Sequence, residues 1–168
     1  PAMLFYLDNV RSRNGALNEN YARELMELHT IGVDAGYTQK DVTELARVFT
    51  GWSWSSPVKD EASFQAFRGF FVTDDRHLKP MELYPQFHST SAKTFIGKTI
   101  PAGTGAQESV KQALDHLFNH PNVGPFIGKQ LIQRSVTSNP SPAYVASVTA
   151  AFNDNGQGVR GDMRAVWR

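Results

Sequence analysis

The sequence predicts a mainly α-helical, bundle-like domain with a small irregular, β-containing insertion in its middle. Three observations carry this. Helical spacing of apolar residues dominates before Trp52 and again after Ala106, and between them aromatic residues and prolines occur with no helical period. Cap and stop residues punctuate both periodic halves.

Pro1 suits a first helical position, and Met3, Leu4 and Leu7 form a short apolar stripe before the turn-rich RSRNG segment. Asn18 or Asn20 can cap the next helix, which carries Tyr21, Leu25 and Leu28 at i, i+4 and i+7. Glu19, Arg23 and Glu27 fall four apart on another face, where the guanidinium can pair with an acid on either side. Gly32 and Gly36 supply turn conformations that close this helix.

The segment Thr38-Gln39-Lys40-Asp41 has the layout of a capping box with Asp in the position usually held by Glu or Gln. It opens a helix with Val42, Leu45, Ala46 and Phe49 inward, and Gly51 is its expected stop. From residue 53 to 104 we expect loops with two or three short strands, at FRGFFVTD, MELYPQFH and KTFIGKTI. Helical period returns with Ala106, Val110, Ala113, Leu114, Leu117 and Phe118 until Asn119-His120-Pro121 ends the run. The next helix places Val123, Phe126, Ile127 and Leu131 inward. Ser141 with Pro142 starts a last long helix that runs through Phe152 into the DNGQG turn, and GDMRAVWR reads as a further helix start. The expected organisation is one domain over 1–168, a piece of a longer protein, with motif helices in 1–52, loops and strands in 53–104 and a helical part in 105–168.

Composition narrows the function classes. The chain has 168 residues, 40% of them hydrophobic and 20% charged, close to globular averages, which favours neither a disordered nor a fibrous class. The net charge is +1 and the basic residues are scattered among acids, so a nucleic-acid partner is not expected. No apolar run reaches the roughly 20 residues of a membrane span. There is no cysteine, which removes disulfides and thiolate metal sites from consideration.

The candidate chemistry lies in the motif helices and the irregular middle. Glu24, Glu27 and His29 are residue types that hold divalent ions. Their spacing is not that of a zinc-protease helix or a di-iron Glu-x-x-His pair, so a salt-bridge network is the simpler reading and no cofactor is predicted. Glu24, Glu27 and His88 are the catalytic candidates if the chain is an enzyme. Arg23 and Arg47 suit either an interhelical ion-pair cluster or a clamp for an anion or carboxylate. Asp74, Asp75, Arg76, His77 and His88 occupy the region where functional loops tend to sit. Trp52 and Trp54 could stack on a sugar or peptide, or belong to the core or to a covered surface. There is no G-x-S-x-G elbow and no phosphate-binding glycine loop.

Four segments carry a family resemblance: NENYAREL; ELHTIGVDAGYTQKDVTELARVFTGW; HSTSAKTFIGKTI; and the later NHPNVGPFIGKQLIQRSVTSNPSPAYVASVTAAFNDNGQGVRGDM. The chain resembles the bacterial domain of unknown function 1800 family over nearly its whole length. The resemblance implies a longer, exported protein, periplasmic or secreted, often encoded beside a sulfatase-like protein, with no activity established for the class. Many members carry Asp after the histidine that matches His88, where this chain has Ser89. The expected partners are therefore the rest of the parent chain and that sulfatase-like protein. The expected function is a non-enzymatic envelope scaffold or binding module; the alternative is a metal-assisted or carboxylate-driven hydrolase, with a divalent metal as its cofactor.

Overall fold

The computed structural model describes residues 2–66, 75 and 78–168. Among them it has eight α-helices and two small antiparallel sheets, in agreement with a mainly α fold carrying a β-containing insertion. The helices are α1 Ala2–Tyr6, α2 Asn20–Glu27, α3 Gln39–Val48, α4 Glu61–Gln65, α5 Ala106–Phe118, α6 Val123–Ser135, α7 Pro142–Asn153 and α8 Met163–Val166. The strands are β1 Trp52–Ser53, β2 Glu82–Leu83, β3 Lys93–Phe95 and β4 Lys98–Ile100. No helix among the described residues is long and apolar enough to cross a membrane. The chain divides into two compact units, Pro1–Leu25 with Gly36–His116, and Met26–Ala35 with Leu117–Arg168.

In the first unit α3 is the central helix. Its capping box forms as the sequence predicts: the Thr38 N–H donates to Asp41 Oδ2 at 2.7 Å, and the Asp41 N–H donates to Thr38 Oγ1 at 3.3 Å. Asp41 also reaches outside its helix, because Oδ1 accepts the N–H of Ile96 at 2.7 Å, in the turn between β3 and β4. Burial disfavours its ionisation, but the hydrogen bonds from Thr38 and Ile96 and the charge of Lys40 outweigh this and lower its pKa. Val42, Leu45, Ala46 and Val48 are buried on one face, with Phe49 at the C-cap. β3 packs on this helix and buries Lys93 and Phe95, the two side chains on its inner face, leaving Thr94 outside.

Both later strand segments contain strand, one of them as two short strands where a single one is expected. KTFIGKTI is the β3–β4 hairpin, in register Lys93 with Ile100 and Phe95 with Lys98. Of MELYPQFH only Glu82–Leu83 is strand, paired with β1; Pro85 has no N–H to continue the ladder and opens a 3₁₀ turn through Phe87. FRGFFVTD lies outside the described residues, as do Asp74, Arg76 and His77. Inside the expected loop region, α4 is a short helix capped by Asp60, whose side chain accepts from the Ser63 N–H.

Three inward faces differ from their predicted composition. Leu28 is 56% exposed because α2 ends at Glu27, and the chain turns so that the N–H groups of Ile31 and Gly32 both reach the Met26 carbonyl; Met26 is buried instead. In α5 the buried line is Ala106, Ser109, Ala113 and Leu117, which turns Leu114 and Phe118 to the margin at 42% and 41% exposure. In α6 of the second unit, Gly124, Gly128 and Ile132 are buried, while Phe126, Ile127 and Leu131 are only half-buried. The reason is close helix packing: α7 lies so near that a Cβ on Gly128 would sit 3.2 Å from Val148 Cγ1. Around this contact are Val123, Ile132 and Phe152, and Arg160 caps the end by donating to the Phe118 and His120 carbonyls.

Gly51 follows α3 at φ +82°, and a Cβ there would meet the backbone of both Tyr84 and His88 at 3.0 Å. Gly51→Ala should lower unfolding free energy by roughly 2–4 kcal/mol, combining left-handed strain with backbone overlap. Asp41→Ala should cost about 2 kcal/mol, because it removes a cap and strands the Ile96 N–H. Chemical denaturation midpoints measure both.

Candidate functional site

The acidic candidates do not converge. Glu24 has a buried carboxylate oxygen, Oε2, with no hydrogen-bond partner; Glu27 is half-buried, and His29 is exposed. Among the described residues no three His, Asp or Glu side chains gather as a metal-binding group. The arginines are engaged locally. Arg23 donates to Gln39 Oε1 at 2.6 Å and lies 3.9 Å from Glu19, while Glu19 itself accepts from Gln39 and from Thr43 at 2.6 Å. This network fastens α2 to α3. Arg47 Nε lies 3.3 Å from Glu44 Oε1, off hydrogen-bond geometry, and Glu44 Oε2 accepts the Thr94 N–H at 3.2 Å.

The tryptophans part company. Trp54 is buried, with its ring 5.5 Å from that of Phe5, and belongs to the core with Val10 and Ala66. Trp52, at the start of β1, lines a cleft of about 220 Å³ with Leu4, Tyr21, Phe49, Met81, Val110 and Leu114. The Tyr21 ring meets Phe49 edge-on at 4.8 Å, and burial pushes the Tyr21 hydroxyl pKa up. The indole Nε1 of Trp52 is a buried donor without an acceptor. Of the lining residues only Trp52 stands out in the sequence. The others come from α1, α2, the C-cap of α3, α5 and the residues just before β2, which only folding brings together.

His88 sits in a second buried constellation where α3 ends. Its Nδ1 is 3.0 Å from the Thr50 carbonyl and 3.3 Å from Thr50 Oγ1. A carbonyl only accepts, so Nδ1 carries the proton and Nε2 presents a lone pair; that atom is buried with no partner. Thr50 Oγ1 donates to the Arg47 carbonyl at 2.7 Å and accepts the Ser89 N–H at 2.9 Å. Lys93, on the inner face of β3, is fully buried, and its Nζ donates to the Ser91 carbonyl at 3.2 Å. Burial lowers its pKa, Arg47 lowers it further, and Glu44 partly opposes both. Burial likewise lowers the pKa of His88, against the Thr50 hydrogen bond and with help from the Lys93 charge.

Lys93, Thr50 and Ser89 were not among the residues expected to matter. The available signal was the alternation in Lys93-Thr94-Phe95, which puts the lysine on the face of the phenylalanine.

The lowered His88 pKa has a definite sign. The unfolded chain takes up this proton near pH 6.5 while the folded chain still resists it, so the contribution is complete above about 6.5 and declines as pH falls through that value. Thermal melts of His88→Gln should show a flatter dependence between about pH 7 and 5 than the parent; equal slopes would place the titration elsewhere.

No curated protein and no solved structure matches the chain. The model of the family described as "Protein of unknown function (DUF1800)" does match, over residues 1–168, and this agrees with the resemblance carried by the motif helices and by HSTSAKTFIGKTI. The chain belongs to the DUF1800 family.

Proposed function

We propose that the chain is a non-enzymatic binding module of the bacterial cell envelope, and that the cleft around Trp52 seats one apolar side chain of a partner polypeptide. The observation that carries this is the cleft's make-up. Six of its seven lining side chains, Leu4, Phe49, Trp52, Met81, Val110 and Leu114, are hydrophobic, and the seventh is Tyr21. Its volume of about 220 Å³ is below the roughly 300–1,000 Å³ of small-molecule pockets, and suits a single inserted side chain. The envelope location rests on the family resemblance. A hydrolase would need Glu24, Glu27 and a histidine around one pocket, and none of Glu24, Glu27, His29 or His88 lines this cleft.

Titration with N-acetyl-leucinamide and N-acetyl-tryptophanamide, followed by amide chemical shifts, tests the assignment. Shifts should centre on Tyr21, Phe49, Trp52 and Leu114. They should vanish in Leu114→Asp, which adds a charge at a partly exposed site, and weaken in Trp52→Ala. Shifts located elsewhere, or unchanged in Leu114→Asp, would reject it.

A further inference from the structure

A buried cation with no counter-ion is costly unless it is neutralised or paired, and Lys93 is such a group. Among the described residues no carboxylate lies within ion-pair distance of its ammonium; its one hydrogen bond is to the Ser91 carbonyl, which leaves two of its three protons unused. Glu44, the acid whose charge it feels, is already held by the Thr94 N–H and by Arg47. Three more polar atoms in the same region are buried without a hydrogen bond: Arg47 Nε, whose charge is paired with Glu44 at 3.3 Å, His88 Nε2 and Ser89 Oγ. They belong together through Thr50, whose hydroxyl binds the Arg47 carbonyl and the Ser89 N–H and whose carbonyl fixes the His88 ring. Lys93 and Ser89 are fully buried and His88 is 7% exposed.

Structural duty accounts for Thr50, whose hydroxyl and carbonyl are both hydrogen-bonded, but not for three unmatched donors and acceptors near a lone ammonium. Native interiors leave few such atoms. Two cations and a hydroxyl offer donors to an anion, and His88 Nε2 becomes one more donor on taking a proton. A divalent cation is disfavoured by Lys93 and Arg47, which would repel it. The stretch 90–92, which carries the Ser91 carbonyl, is exposed and lies next to Lys93 in the chain.

We propose that Lys93, Arg47, Ser89 and His88 form a buried receptor for a small oxyanion, the carboxylate, phosphate or sulfate group of a ligand. The anion takes the two free Lys93 protons and the Ser89 hydroxyl proton, and Arg47 adds charge from the end of α3. This site is independent of the Trp52 cleft, so failure of either assignment leaves the other standing.

The test is thermal unfolding and calorimetric titration with inorganic phosphate, sulfate and acetate, each at an ionic strength matched with chloride. At least one anion should raise the melting temperature saturably beyond chloride, and the effective one identifies the chemical class. Lys93→Met, which keeps the length of the buried chain without its charge, should abolish that shift. Ser89→Ala removes an unmatched hydroxyl and leaves the packing intact; it should weaken binding several-fold while the fold is retained by circular dichroism. If Lys93→Met does not fold, Ser89→Ala decides. No saturable shift beyond chloride for any of the three anions, or an undiminished shift in the folded variants, overturns the proposal.

Discussion

The first unit depends on how the buried polar backbone at the end of α3 is satisfied. A helix leaves its last carbonyls without intrahelical partners, and here they end among buried residues, away from water. Three carbonyls there find side-chain partners, one from Thr50 itself and two from distant segments. Asn9 Nδ2 donates to the Phe49 carbonyl at 3.0 Å, Thr50 Oγ1 takes up the Arg47 carbonyl, and His88 caps the Thr50 carbonyl. The Gly51 N–H reaches the Ser12 carbonyl at 2.9 Å, and its own carbonyl receives the Tyr84 N–H at 2.8 Å. One corner therefore holds the stretches around residues 9–12 and 84–89 in place. Gly51 is the residue that lets them come so close.

The opposite end of α3 is anchored as firmly by a different device. Asp41 serves both as the reciprocal partner in the capping box and as the acceptor for the hairpin turn at Ile96. The hairpin is thereby fixed against the helix, and the alternation of β3 drives Lys93 inward beside Phe95. A lysine in that position is not explained by packing, since a neutral residue would fill the space without an ammonium to desolvate. The same corner that organises the fold thus surrounds a group the fold does not need. The Trp52 cleft grows from the same segment: Phe49 and Trp52, on either side of the Thr50–Gly51 turn, line the apolar cleft while Thr50 serves the polar constellation.

The charged and polar side chains of α2 and α3 are engaged largely with one another. Glu19, Arg23, Gln39 and Thr43 bind one another across the two helices, and Arg47 with Glu44 borders β3. These residues are densely charged because two amphipathic helices must be held in one register with polar contacts outside the core. The acids that looked most like metal ligands, Glu24 and Glu27 with His29, do not form part of any three-residue donor group among the described residues.

Features that depend on neighbours in the chain were legible before folding was considered. The Thr38–Asp41 capping box, the buried Val42, Leu45 and Ala46, the extended character of KTFIGKTI, and the Ser141–Pro142 helix start each follow from spacing within a few residues. The long motifs also named the family. Tertiary structure alone decided what depends on partners far apart in the chain. It turned Leu28, Leu114 and Phe118 outward and the Gly124–Gly128 face of α6 inward, because burial follows the packed neighbour rather than the hydrophobicity of the residue. It sent Trp54 to the core and Trp52 to a cleft, although the two are a single residue apart. It also gathered Arg47, Thr50, His88, Ser89 and Lys93 around one buried corner, since satisfying a helix end far from water recruits whichever distant segment can supply the matching group.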